Sequence, residues 1–197
     1  MGSKNPFPKH HEGAQGLLEF MVAPMSLEEF KENIWETQPR VFTAISKERK
    51  QWARKLFSSD DMWRLAREEP LEMGRDLCTA HYRKETDKRT SPTILKERGT
   101  RGKEEKATEE DEDLVSEREL RNLFFMRDAT LQLHQPQRYL DSLWRVCYGM
   151  ECVFGDLVGA NVYMTPPGAQ GLAPHHDDVD VFVLQTQGRK KWKLYDP

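Results

Sequence analysis

Cysteine is scarce in this chain: Cys78, Cys147 and Cys152 are the only three among 197 residues. An odd set without CxxC spacing argues against a disulfide framework and against a structural zinc site, and suits a reducing compartment. Long apolar runs are absent as well. No stretch approaches the ~18 residues of a membrane span, and no charged start followed by an apolar core marks a secretory leader. The expectation is a soluble intracellular protein with no membrane partner. Neither sign of charge prevails, since 30 Lys plus Arg face 33 Asp plus Glu. There is thus no global cationic field of the kind that draws polyanions, and no direct nucleic-acid binding is predicted. The start Met1-Gly2-Ser3 lacks the Ser or Thr that myristoylation needs, having Pro6 there. What the chain does have is 37% hydrophobic content with five Trp and nine Phe, enough for the core of one ordinary domain.

Residues 1–15, with Pro6, Pro8, His10, His11 and Gly13, are poor in apolar side chains and read as a flexible tail. Ser26 followed by Glu28, Glu29 and the apolar set Leu27, Phe30, Ile34 and Trp35 predicts a capped helix ending before Pro39. A second helix is expected through Trp52, Leu56 and Phe57, and a third from Ser59 or Asp60 through Met62, Trp63 and Leu65. Residues 16–95 form the expected helical part. Between Lys84 and Arg121 charge dominates, with five consecutive acids from Glu109 to Asp113. Such a block buries too little surface to offset its ordering entropy, so 96–117 reads as a charged, disordered insertion. From 118 to 197 the pattern turns to strands. Ala129–Leu133 alternates, and Leu140, Leu143, Trp144, Val146 and Cys147 mark an amphipathic helix closed by Gly155. Asn161–Thr165 reads as a strand, and Val179–Leu184 with Trp192–Tyr195 as a hairpin around Gly188. Helices first and antiparallel strands after give an α+β class with an unfinished sheet.

Chemistry concentrates in Pro174-His175-His176-Asp177-Asp178. On an extended chain, residues i and i+2 share a side, so His175 and Asp177 can grip one ion. One imidazole and one carboxylate make two thirds of the facial triad of non-haem Fe(II) oxygenases. Spacing alone leaves His176 with Asp178 as an equally good pair.

The stretch Gly159–Val179, containing Asn161-Val162-Tyr163-Met164-Thr165-Pro166-Pro167-Gly168 and Ala173-Pro174-His175-His176-Asp177-Asp178, resembles the metal-site segment of the JmjC ribosomal oxygenases. The likeness continues through Leu184-Gln185, Gly188-Arg189-Lys190 and Trp192 to Pro197. Ala129–Arg138 is similar to the Mina-type branch of that family more than to its nucleolar branch, and the helix with Phe30 and Trp35 resembles the family's entry segment. The resemblance implies a double-stranded β-helix of the JmjC or cupin-like jelly-roll kind, here incomplete. It also implies Fe(II) and 2-oxoglutarate as cofactors. The metal ligands would be His175 and Asp177, with His176 standing where the family usually has an aromatic residue; no other side chain is assigned a catalytic role. Lys190 would pair with the distal carboxylate of 2-oxoglutarate as a point charge, and Asn161 and Tyr163 would line the cofactor and substrate pocket.

The implied reaction is oxidative decarboxylation of 2-oxoglutarate to succinate, coupled to hydroxylation of a C–H bond. By resemblance the substrate is a histidine of a large-subunit ribosomal protein, with histone lysine demethylation as the alternative. A nuclear and nucleolar location and a homodimeric full-length form follow from the same likeness. No histidine comes after His176, so the third ligand that the family takes from a later strand is missing. The expectation is therefore an N-terminal fragment with negligible coupled turnover. A non-catalytic module holding a basic partner, and a cupin-like protein with another ion, are the competing classes.

Overall fold

The computed structural model describes residues 13–43, 46–83, 85–86, 88–90 and 114–195. The expected tail up to His11 and Glu12 and most of the expected insertion lie outside those residues. The chain divides into two compact units. One comprises Met1–Ser59, Leu140–Gly159 and Asp177–Pro197; the other comprises Asp60–Tyr139 and Ala160–His176.

The first unit is helical. It holds α1 (Gly13–Val22), α2 (Leu27–Asn33), α3 (Lys47–Leu56) and α6 (Asp141–Phe154). Serines start two of these helices. The Ser26 side chain accepts from the Glu29 amide at 3.0 Å, and Ser46 does the same for Arg49 at 3.0 Å, each contact contributing about 1 kcal/mol by satisfying an orphan amide. Gly155 ends α6 at φ 74°, in the left-handed region where any Cβ would be strained. α1 packs against α6 and α2, and it buries Leu17, Leu18, Phe20, Met21 and Val22. Phe20 meets Trp52 edge-on at 5.4 Å.

A second apolar centre of this unit is aromatic. Trp35 stacks on Phe154 at 4.4 Å and on Phe182 at 5.6 Å, while Phe30 touches both Trp35 and Phe182. Phe182 belongs to the stretch expected to be a strand. That expectation is corrected: Val179–Leu184 and Trp192–Tyr195 form no strand. A strand exists only where a neighbour accepts and donates its ladder bonds, and no described segment of this unit offers one. Phe182 is anchored by the aromatic cluster instead, with Val179, Val181 and Val183 left exposed.

The second unit is built on a sheet. After α4 (Ser59–Glu68) come β1 (Leu77–Arg83), β2 (Lys88–Thr90), α5 (Glu117–Met126), β3 (Thr130–His134), a 3-10 turn (Pro136–Arg138) and β4 (Asn161–Met164). The strand order is β2-β1-β3-β4, with every pair antiparallel. It remains an open sheet, so the molecule is α+β, as expected. β3 and β4 fall where alternation placed them. β1 and α5 were not anticipated, nor was α1 in the helical unit. The end of the expected insertion is structured instead: Leu114 bridges to Glu72, the Val115 amide donates to the Leu71 carbonyl at 2.9 Å, and Ser116 with Glu119 forms a capping box that starts α5. One sheet face is apolar, with Leu77, Leu131 and Leu133 fully buried. Met62, Leu65, Leu71, Leu120 and Leu123 are among the other buried side chains of this unit.

Candidate metal and co-substrate site

The other face of the sheet is polar, and strand pleat explains which residues share it. Directly opposed residues of paired strands point the same way, as do residues two apart on one strand. Cys78 stands opposite Gln132, Gln132 opposite Tyr163, and His134 opposite Asn161. Asn161 and Tyr163, expected to line a pocket, therefore lie on one face beside Gln132 and His134. Both are exposed along β4. Tyr163 is held from below: the Gln132 amide Nε2 donates to its hydroxyl at 3.2 Å, and the Cys78 thiol donates to the Gln132 carbonyl Oε1 at 3.3 Å.

The segment after β4 is pinned over this unit. The Tyr82 amide donates to the Gln170 carbonyl at 2.8 Å. Thr130 and Thr165 join their hydroxyls at 3.1 Å. Gly171 lies so close that a Cβ there would come within 2.5 Å of the Thr130 hydroxyl. This close approach requires glycine, and it leads the chain into Pro174 and His175.

His175 is exposed, and its Nδ1 lies 2.8 Å from the Ala173 carbonyl. A carbonyl oxygen only accepts, so Nδ1 is the donor in this contact and Nε2 is the ring nitrogen left to serve as a ligand. That is the arrangement by which metal-binding histidines are commonly oriented. Asp177 opens the segment of the helical unit and is exposed too, as are His176 and Asp178. In donor chemistry, a neutral imidazole nitrogen and a carboxylate fit a divalent first-row ion such as Fe(II). Among the described residues no group of three His, Cys, Asp or Glu side chains is gathered. Lys190, in the helical unit, lays its ammonium over the Trp192 ring, 5.0 Å from the centroid. Partial burial there pushes its pKa below the ordinary lysine range.

Sequence reasoning missed Cys78, Gln132 and His134 as members of the polar face. The alternation that predicted β3 already put Gln132 and His134 on one side. The placement of Cys78 needed β1, whose residues lack a clean alternating pattern.

The JmjC domain family matches residues 132–197. Ribosomal oxygenase 2 of Rattus norvegicus is 36% identical over 190 residues, covering 94% of this chain. Ribosomal oxygenase 1 of Homo sapiens is 29% identical over 196 residues, covering 98% of this chain, and the bifunctional lysine-specific demethylase and histidyl-hydroxylase NO66 of Branchiostoma floridae is 28% identical over 183 residues, covering 90%. The chain spans 36%, 26% and 25% of those three relatives' lengths, in the same order. By these matches and by its HxD-bearing segment, the chain belongs to the JmjC-domain ribosomal oxygenase family.

Proposed function

We propose that these 197 residues supply the first two metal ligands and the co-substrate lysine of an Fe(II)- and 2-oxoglutarate-dependent protein oxygenase. The observation that carries the reading is His175: it stands two residues before a carboxylate, and its Nδ1 hydrogen is engaged by Ala173, which turns Nε2 into the donor. When bound, Fe(II) and 2-oxoglutarate supply oxidative decarboxylation coupled to hydroxylation of a C–H bond. The chain's own residues do the positioning. His175 and Asp177 hold the ion, Lys190 pairs as a point charge with the distal carboxylate, and Asn161 and Tyr163 orient what lies over the sheet.

The substrate we favour is a histidyl side chain of a large-subunit ribosomal protein, with a nuclear and nucleolar location. The name of one relative, which includes histidyl-hydroxylase, supports the first part. The same name includes lysine-specific demethylase, and attack on an N-methyl group of a histone lysine is the second reading. A homodimer is proposed for a full-length form. No histidine follows His176, so negligible coupled succinate release is expected from these residues alone, where a non-catalytic binding role would apply.

The test is a chimera in which this chain replaces the matching segment of a full-length ribosomal oxygenase 2. Succinate release dependent on a ribosomal-protein peptide, abolished by His175→Ala and by Asp177→Ala, is the expected result. Turnover that survives both substitutions removes the assignment. Loss only with His176→Ala and Asp178→Ala moves the ligand pair by one residue.

A further inference from the structure

Between Asp177 and Lys190 the chain forms no strand, so ladder bonds do not hold the two residues that the oxygenase reading places at the ion and the co-substrate. Two other tethers lie between them. Phe182, five residues after Asp177, sits 5.6 Å from Trp35, 5.7 Å from Phe154 and 6.2 Å from Phe30, centroid to centroid. Gln187, three residues before Lys190, accepts the Ser59 amide at 3.0 Å.

The seat of Phe182 is itself fixed from two directions. Trp35 belongs to a closed turn at the end of α2: its amide donates to the Phe30 carbonyl at 2.9 Å, and the Thr37 amide and hydroxyl both donate to the Ile34 carbonyl at 3.0 Å. Phe154 is the last residue of α6, whose end is set by the left-handed Gly155 and by that glycine's amide, which donates to the Glu151 carbonyl at 2.8 Å. Trp35 and Phe154 stack at 4.4 Å with 29° between their planes. Two helix ends thus present one apolar floor to the Phe182 ring. Val179, Val181 and Val183 are each more than half exposed and contribute little burial to the same stretch.

An anchored ring restrains its neighbours along the chain. Five extended residues span at most about 18 Å, so Asp177 presents its carboxylate within a short reach of the floor. Ordering completed before a ligand arrives strengthens the hold on that ligand, because the cost has already been met in folding.

We propose that Trp35 is a positioning residue for the site: with Phe154 it seats Phe182, and so fixes in advance where Asp177 and Lys190 present their charges. Trp35 acts through the Phe182 ring and not by contact with the ion. That those charges serve Fe(II) and 2-oxoglutarate rests on the oxygenase reading; the seating of Phe182 does not.

The first measurement is fluorine NMR of the ligand-free chain carrying para-fluorophenylalanine, with the Phe182 signal assigned by its loss in Phe182→Leu. Ring currents of Trp35 and Phe154 should displace that signal from the position of an exposed phenylalanine. Trp35→Leu should return it most of the way, and Trp35→Tyr should keep the displacement.

The second is calorimetry of Mn(II) and 2-oxoglutarate binding to the chimera. Trp35→Leu should weaken both by about tenfold, the lower end of what loss of a supporting residue costs a metal site, and Phe154→Leu should act in the same direction. Trp35→Tyr should bind nearly as the wild type does. Phe20→Leu, which loosens the same helical unit at the Trp52 contact, should lower the melting temperature and leave both affinities unchanged. A Phe182 signal at the exposed position in the wild type overturns the proposal. So does wild-type affinity in Trp35→Leu, or a loss in Phe20→Leu equal to that in Trp35→Leu. Mn(II) binding that is absent from the wild-type chimera, or that survives Asp177→Ala, overturns the oxygenase reading instead, and the fluorine signal still decides the seat.

Discussion

Arg138 donates from Nη1 to Oδ1 of Asp76 at 2.9 Å, tying the turn after β3 to the residue that precedes β1. Arg75 holds the other oxygen at 2.8 Å, and the Glu72 amide donates to it at 3.0 Å. The Asp76 side chain is wholly inaccessible to solvent. Burial by itself would raise its pKa, but the donors from Arg75, the Glu72 amide and Arg138 together outweigh it and bring the value down from 3.8 to about 2.

Acid stability follows with a definite sign. A carboxylate with a lowered folded pKa contributes stability above its unfolded pKa and loses it as pH falls through the folded one. The loss should thus occur between about pH 4 and pH 2. Because the two arginines are about half exposed, solvent screening reduces the contribution to about 1–2 kcal/mol. Urea unfolding across that window should show the decline in the wild type and a flatter profile in Asp76→Asn. At neutral pH the same substitution should cost about 2–3 kcal/mol, since it breaks a buried pair.

Gly171→Ala tests the seat of the segment leading to His175. Its new Cβ would fall 2.5 Å from the Thr130 hydroxyl and 2.6 Å from the Thr130 Cβ. Overpacking of this kind costs about 1–3 kcal/mol. The Tyr82 amide, which donates to the Gln170 carbonyl, should lose protection in hydrogen exchange. Retained protection would show that the segment yields without leaving the sheet.

Lys190→Ala should weaken 2-oxoglutarate binding in the chimera by tenfold or more, while leaving Mn(II) uptake nearly unchanged. A cupin-like protein with another ion would show no such split. Partial burial lowers the Lys190 pKa, so the charge it offers is lost at a lower pH than an ordinary lysine's. Affinity for 2-oxoglutarate should accordingly decline as pH rises through that lowered pKa, and the Lys190→Arg variant should remain insensitive over the same range.

Phe182→Ala tests what holds the segment after Asp177. Phe182 stacks on Trp35 and meets Phe30 and Phe154, and for a partly exposed ring the loss should be about 1–2 kcal/mol. Limited proteolysis should then cut faster between Val179 and Trp192. An unchanged cleavage rate would mean that other contacts anchor the segment.

Much of the fold could be read without coordinates. Ser26 with its following acids located α2, Leu143, Val146 and Cys147 located α6, and Gly155 located its end, because capping and helical burial depend on neighbours a few residues away. The Ser116–Glu119 capping box carried the same kind of signal for α5, obscured by the charged run before it. HxD spacing singled out His175 and Asp177 with His176 and Asp178 as the other register, and family resemblance chose between them.

Local order alone thus determined the starts of α2 and α4, the course and end of α6, β3, β4 and the chemistry on offer at positions 175–178. Tertiary structure decided which segments became strands and which side chains share a face. Ladder bonds need a partner, so Leu77–Arg83 became β1, pairing with Thr130–Leu133 through Leu77–Ala80, while Val179–Leu184, without one among the described residues of its unit, did not. The same pairing put Cys78 behind Gln132 and Tyr163, a relation between three distant stretches of chain that exists only once the sheet has fixed its register.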